Sequence, residues 1–250
     1  MKKKEKQTYQ KNLFCEELFE QYKKVFKETS KRLGKSISRN LRLFDIKFRL
    51  VLGINVDFDP AIAYTKTPET RNTYISLVKL VELWNAYEVF LIYTGEQCGN
   101  NSKYSIIKDK KANTAESQKI LIDALETLRK FYKESKSFKT DFDEFLERTQ
   151  EKALCRNDVK RHSKLKNLEK YISTGSAKDT ILIIELIYLF RNMFYHTGES
   201  AKIGARNIRN RQKILELCYK TLADYMLTVC IHLLPQTSDG VTQSNSSSVR

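Results

Sequence analysis

After the apolar run ILIIELIYLF (181–190), the chain continues Arg191-Asn192-Met193-Phe194-Tyr195-His196 and then Thr-Gly-Glu. A guanidinium, an amide and an imidazole in so oily a setting each need a partner or a task, because an unpaired buried polar group is costly. At about 100° per residue, Leu182, Ile183, Leu186, Ile187, Leu189, Phe190, Met193 and Phe194 share one broad side of a helix. Glu185, Tyr188, Arg191, Asn192, Tyr195 and His196 share the other. The polar residues thus form a stripe, expected to face something other than a core. Arg191 offers a planar fork of donors that matches a phosphate. His196, expected at the end of the helix, would titrate near neutral pH and could move a proton. The pair is a minimal kit for a phosphodiester: one group neutralises charge on the phosphoryl oxygens while the other transfers a proton.

Other residues could complete such a site. Glu88 follows Trp84 by four positions on the apolar side of a preceding helical pattern, where a carboxylate wants a cation, and Arg191 is the obvious one. The competing reading is that Glu88 reaches solvent at the helix edge. Asn192 could orient the histidine or a phosphate oxygen. Tyr195 could hydrogen-bond a substrate, although an aromatic at helical spacing commonly packs. Downstream, KIGARNIRNRQK places Lys202, Arg206, Arg209, Arg211 and Lys213 at the start of the last helix. Near a cleft they would track phosphates; otherwise they are an exposed first turn that opposes the helix macrodipole. The bland alternative for the whole motif is ion pairing for Arg191 and C-terminal capping for His196.

A second arginine–histidine pair, Arg156 to His162, lies in the polar segment NDVKRHSKLKN and reads as a solvated basic face. Asp57-Phe58-Asp59 and Asp141-Phe142-Asp143-Glu144 read as turn and helix-start residues instead of metal ligands. Glycine-rich phosphate loops, GxSxG and HExxH are all missing, and neither metal nor cofactor is expected.

Helices must position these residues. The 250 residues contain 8 Gly and 3 Pro, too few turn formers for a many-stranded β fold, while 41% hydrophobic residues suffice for a core. Periodicity predicts helices over 4–33, 37–52, 72–93, 115–134, 178–195 and 205–234, with 135–167 helical in pieces. The expected architecture is all-α. A basic helical extension (1–70) precedes a four-helix bundle (71–234), and a disordered tail (235–250) follows.

The net charge of +15 points to a phosphate-rich partner, with ordinary solvated lysines and, more weakly, an anionic membrane surface as the alternatives. Five cysteines, odd in number and without ligand spacing, favour a reducing cytoplasm over disulfides or zinc. The lysine-rich start is not followed by the apolar segment of a signal peptide. The run 181–190 is too short to span a bilayer, so no membrane association is expected.

Arg191 and His196, with four residues between them at the end of an apolar helix, resemble the Rx4-6H motif of the HEPN superfamily. The resemblance covers roughly 71–234. It implies a four-helix bundle, and it also favours an acidic residue after a Trp on the first bundle helix, where Glu88 stands. Pairing of two protomers would bring their motifs into one cleft, and active members are metal-independent ribonucleases of toxin, antiphage and RNA-processing systems. The expected activity is endoribonucleolytic, with Arg191, Asn192, His196 and Glu88 catalytic and Tyr195, Lys202, Arg206, Arg209 and Arg211 binding RNA. The expected partners are RNA, a second copy of the chain, and an antitoxin or regulatory protein. The other possibilities are a catalytically silent bundle that binds RNA, nucleotide or protein, and a scaffold kept soluble by its charge.

Overall fold

The computed structural model describes residues 13–56, 68–98, 109–175, 179–197 and 208–234, with the backbone alone over 193–197. These residues form α1 (Glu16–Leu33), a 3-10 turn (Gly34–Ser36), α2 (Arg39–Gly53), α3 (Pro68–Cys98) and α4 (Ala115–Glu134). Then come α5 (Lys136–Cys155), α6 (Val159–Thr174), α7 (Ile181–Thr197) and α8 (Ile208–Leu233). Among the described residues there is no strand, so the protein is all-α. The stretches 57–67 and 99–108, and 235–250 at the end of the chain, lie outside the described residues.

Short polar side chains set the helix starts, because each satisfies an amide of the first turn that has no partner within the helix. Ser38 Oγ accepts from the N–H of Asn40 and Leu41 at 3.2 and 3.4 Å. Thr114 Oγ1 accepts from Ser117 at 3.1 Å, Ser135 Oγ from Phe138 at 3.2 Å, and Asp158 Oδ1 from Arg161 at 3.0 Å. The last two caps divide the segment expected to be helical in pieces into the hairpin α5–α6. Asn157 turns the chain between them with φ 54°, a left-handed conformation that asparagine tolerates better than most residues.

Helix α3 is longer than the predicted 72–93. Pro68, whose missing N–H costs nothing at the first helical position, begins it. At the other end Thr94 and Gly95 are both buried, and Thr94 Oγ1 donates to the Phe90 carbonyl at 2.9 Å. Burial holds the chain helical there against the glycine.

Leu77, Leu80, Leu83, Trp84, Tyr87 and Phe90 bury one face of α3, and Val81, Ala86, Val89 and Tyr93 extend the burial around most of its circumference. It packs along α8 and against α7, while α4 packs on both α8 and α7. The α5–α6 hairpin closes this group, with Phe145 stacked on Phe190 at 5.0 Å.

The two N-terminal helices join the same core. Helix α1 lies on α8 and α2 on α3. Aromatic contacts run from Tyr22 to Phe44 (6.1 Å), Phe44 to Phe90 (5.8 Å) and Phe90 to Tyr225 (6.1 Å). The Tyr22 hydroxyl donates to buried Asp45 at 3.1 Å, and the Cys15 N–H ties the start of α1 to Asp224 of α8 at 2.7 Å. All five cysteines are free. No helix of the described residues is long and apolar enough to cross a membrane.

Candidate active site at the end of α7

Arg191 lies on α7 with its side chain about one-fifth exposed (20%). Its Nη1 donates to Asn192 Oδ1 at 3.1 Å, and its Nη2 stands 3.6 Å from Glu88 Oε1 on α3. That same carboxylate oxygen accepts from Trp84 Nε1 at 3.0 Å. The indole is buried, so it supplies a rigid donor one helical turn from Glu88. The result is a relay from core to rim, in which Trp84 aims Glu88, and Glu88 together with Asn192 holds the guanidinium. Glu88 is itself half exposed (53%), nearer the helix edge than the apolar side suggested, so solvent screens the ion pair. Its contribution is orientation more than stability.

The polar stripe of α7 divides in two. Its early part meets other helices instead of an open cleft. Glu185 is buried and paired with Lys164 of α6. Tyr188 is wedged between the Trp84 ring at 5.4 Å and the Arg161 guanidinium at 5.4 Å. A buried carboxylate in this position needs its cation, and α6 delivers it. These two contacts run antiparallel, pairing a later residue of α6 with an earlier one of α7. The start of α6, with Arg161 and half-buried His162, therefore lies toward the Arg191 end of α7. The basic segment that reads as a solvated face in the sequence contributes Arg161 to the same constellation.

His196 and Tyr195 belong to α7, but their side chains lie outside the described residues, as do Lys202 and Arg206 altogether. Five residues of α-helix put the His196 backbone about 7.5 Å along the axis from Arg191. Arg209 is exposed and bonds Glu69 at 2.7 Å, and this hydrogen bond is the main cause holding the Glu69 carboxyl below its ordinary range. Arg211 is not on an exposed basic turn. It is 5% exposed, and its guanidinium lies 5.5 Å from the Phe190 ring. Its neighbour Asn210 donates to buried Asp141 at 2.7 Å. The first turn of α8 enters the fold between α5 and α7, which turns these polar groups inward around a cavity of about 20 Å³. Arg209 thus stands at the surface, engaged by Glu69, and Arg211 lies inside the fold.

Three features escape a reading of the sequence: the Trp84–Glu88 bond, the Arg161–Tyr188 contact and the burial of Arg211. The first had a signal, since an indole and a carboxylate four residues apart share a helix face. The other two depend on partners distant in the chain. Among the described residues, no group of three or more His, Cys, Asp or Glu side chains is placed to hold a metal ion. Compared with protein-family models, with curated proteins and with solved structures, the chain matches none significantly.

Proposed function

We propose that the protein is a metal-independent endoribonuclease of HEPN type. In this reading α3, α4, α7 and α8 are the family's four-helix bundle, and the cleft forms in a cytoplasmic homodimer. The biological setting would be toxin or antiphage activity, restrained by an antitoxin or regulatory protein. The observation that carries the reading is the Arg191 guanidinium, held at the rim by Glu88 and Asn192 on the helix that also bears His196. An oriented, partly exposed guanidinium on an apolar helix suits a phosphoryl oxygen.

His196 takes the proton of a ribose 2′-OH. The 2′-oxygen forms a bond to phosphorus as the bond from phosphorus to the 5′-oxygen breaks. The leaving oxygen receives a proton from a second copy of the motif, so the products are a 2′,3′-cyclic phosphate and a 5′-hydroxyl. Arg191 stabilises the charge that develops on the phosphorane, a role in which losing one donor typically costs about 10²–10³ in rate.

The test is cleavage of mixed RNA in EDTA with analysis of fragment ends. Wild type should yield cyclic phosphates, and Arg191→Ala and His196→Ala should each lose at least about a hundredfold in rate. A folded His196→Ala protein that cuts at the wild-type rate refutes the mechanism. The second reading, a silent bundle that binds RNA, nucleotide or protein, draws on the Glu88 contact, because a carboxylate beside Arg191 competes with a phosphate. It predicts binding without cleavage.

A further inference from the structure

Residues 1–53 carry fifteen Lys and Arg against six Asp and Glu, nine of the fifteen net positive charges in about a fifth of the chain. Residues 13–53, which include α1 and α2, hold five of these nine net charges, ten Lys and Arg against five Asp and Glu, and there they are organised. Lys23, Lys24, Lys27, Lys31 and Arg49 surround a groove of about 770 Å³ with half-buried Phe26 in its lining. Two of these cations are already engaged: Lys23 pairs with Glu20 at 2.5 Å and Arg49 with Asp45 at 2.7 Å. Both also lie over rings, Lys23 5.1 Å from Phe19, and Arg49 5.8 and 5.9 Å from Phe19 and Phe26. Lys24, Lys27 and Lys31 are exposed and make no ion pair among the described residues. Glu20 and Asp45 offset two of the five cations, and the remaining cluster of Lys24, Lys27 and Lys31 is what a surface shaped for a polyanion looks like.

We propose that this groove binds the backbone of single-stranded RNA, as a site separate from Arg191. Lys27 and Lys31 are one helical turn apart, and Lys23 and Lys24 precede Lys27 by about a turn, so ammonium groups recur about every 6 Å along α1. That repeat follows successive phosphates of one strand. The Phe26 ring in the lining supplies an apolar, π-faced patch among the cations, and positive charge beside aromatic surface is the chemistry that holds unpaired bases without reading sequence. A lipid headgroup would use the charge but not the ring. The exposed apolar residues of α2 that a bilayer would need, Leu43, Ile46 and Leu50, are not among those lining the groove. Capture at the groove would raise the local concentration of RNA around the rest of the molecule. The proposal rests on RNA being the partner, and it stands whether or not Arg191 and His196 cut it.

The test measures binding of the full chain to a fluorescent 2′-O-methyl oligouridine, which 2′-OH chemistry cannot cleave, over a series of salt concentrations. The triple variant Lys24→Gln, Lys27→Gln, Lys31→Gln keeps good helix formers. It should bind about tenfold or more weakly, and the slope of log K against log salt should fall by about 2, at about 0.7 per phosphate contact. A control that removes the same charge elsewhere, Lys133→Gln, Lys136→Gln, Lys170→Gln, should bind nearly as wild type. The proposal is overturned if the two triple variants behave alike. It is also overturned if wild type ignores the oligonucleotide, or if the groove lysines matter only for phosphatidylserine vesicles. Cleavage of unmodified RNA is scored separately. Loss of binding without any wild-type cleavage upholds the groove and removes the nuclease, and the reverse pattern does the opposite.

Discussion

Glu88 is the residue on which the geometry around Arg191 turns. One oxygen of its carboxylate accepts from Trp84 and faces Arg191, so it transmits the rigidity of a buried indole to a guanidinium at the rim. Glu88→Gln keeps an oxygen for the indole and removes the charge that orients Arg191. The pair is half exposed, so its loss should change stability by less than about 1 kcal/mol, read as a small shift in thermal midpoint. Cleavage should fall about tenfold, because a guanidinium free to wander contributes less to a positioned reaction. A variant that cuts faster would mean that Glu88 competes with the phosphate instead of aiming its partner.

Among the elements, α6 shows how a helix with a weakly apolar sequence becomes fixed. Asp158 caps its start, and Lys164 and Arg161 attach it to α7. Gly175 ends it at φ 79°, with its N–H bonded to the Tyr171 carbonyl at 2.7 Å. A methyl group at Gly175 would stand 2.6 Å from the Arg129 guanidinium, whose Nη2 donates to the Thr174 carbonyl at 3.1 Å. Gly175→Ala therefore combines left-handed strain with displacement of a C-terminal capping donor, and should destabilise by about 2 kcal/mol in denaturant titration. If α6 is the brace for the early part of the α7 stripe, RNA cleavage at permissive temperature should survive while the melting midpoint drops.

For the molecule as a whole, the largest consequence of the packing concerns α1 and α2. Tyr22, Phe44, Phe48 and Val51 are buried against α3 and α8, and each such side chain stabilises by about 1.5–3 kcal/mol. A chain lacking residues 1–53 would uncover Phe90, Tyr225 and the buried Cys230, whose thiol burial pushes well above its ordinary pKa. The truncated chain should lose its cooperative melt and alkylate rapidly at Cys230. The intact protein should react first at exposed Cys155 and hold Cys218 and Cys230 inert. A shortened chain that melts sharply would show that 71–234 folds alone.

Much of this was legible in the linear order of residues. Helical class and most helix centres follow from apolar spacing, since a side chain's face on a helix is set by local geometry alone. Glu88 opposite Arg191 could be anticipated because a carboxylate and a guanidinium on apolar helices seek each other. Periodicity reports that a face is apolar or polar but not which neighbour covers it, and that choice belonged to packing. Thus Glu185 is sealed and Tyr188 partly covered by α6, Arg211 enters the fold, and α1 and α2 join the core they precede in sequence. Each of these outcomes depends on contacts between residues far apart in the chain, where burial and charge pairing outweigh local pattern.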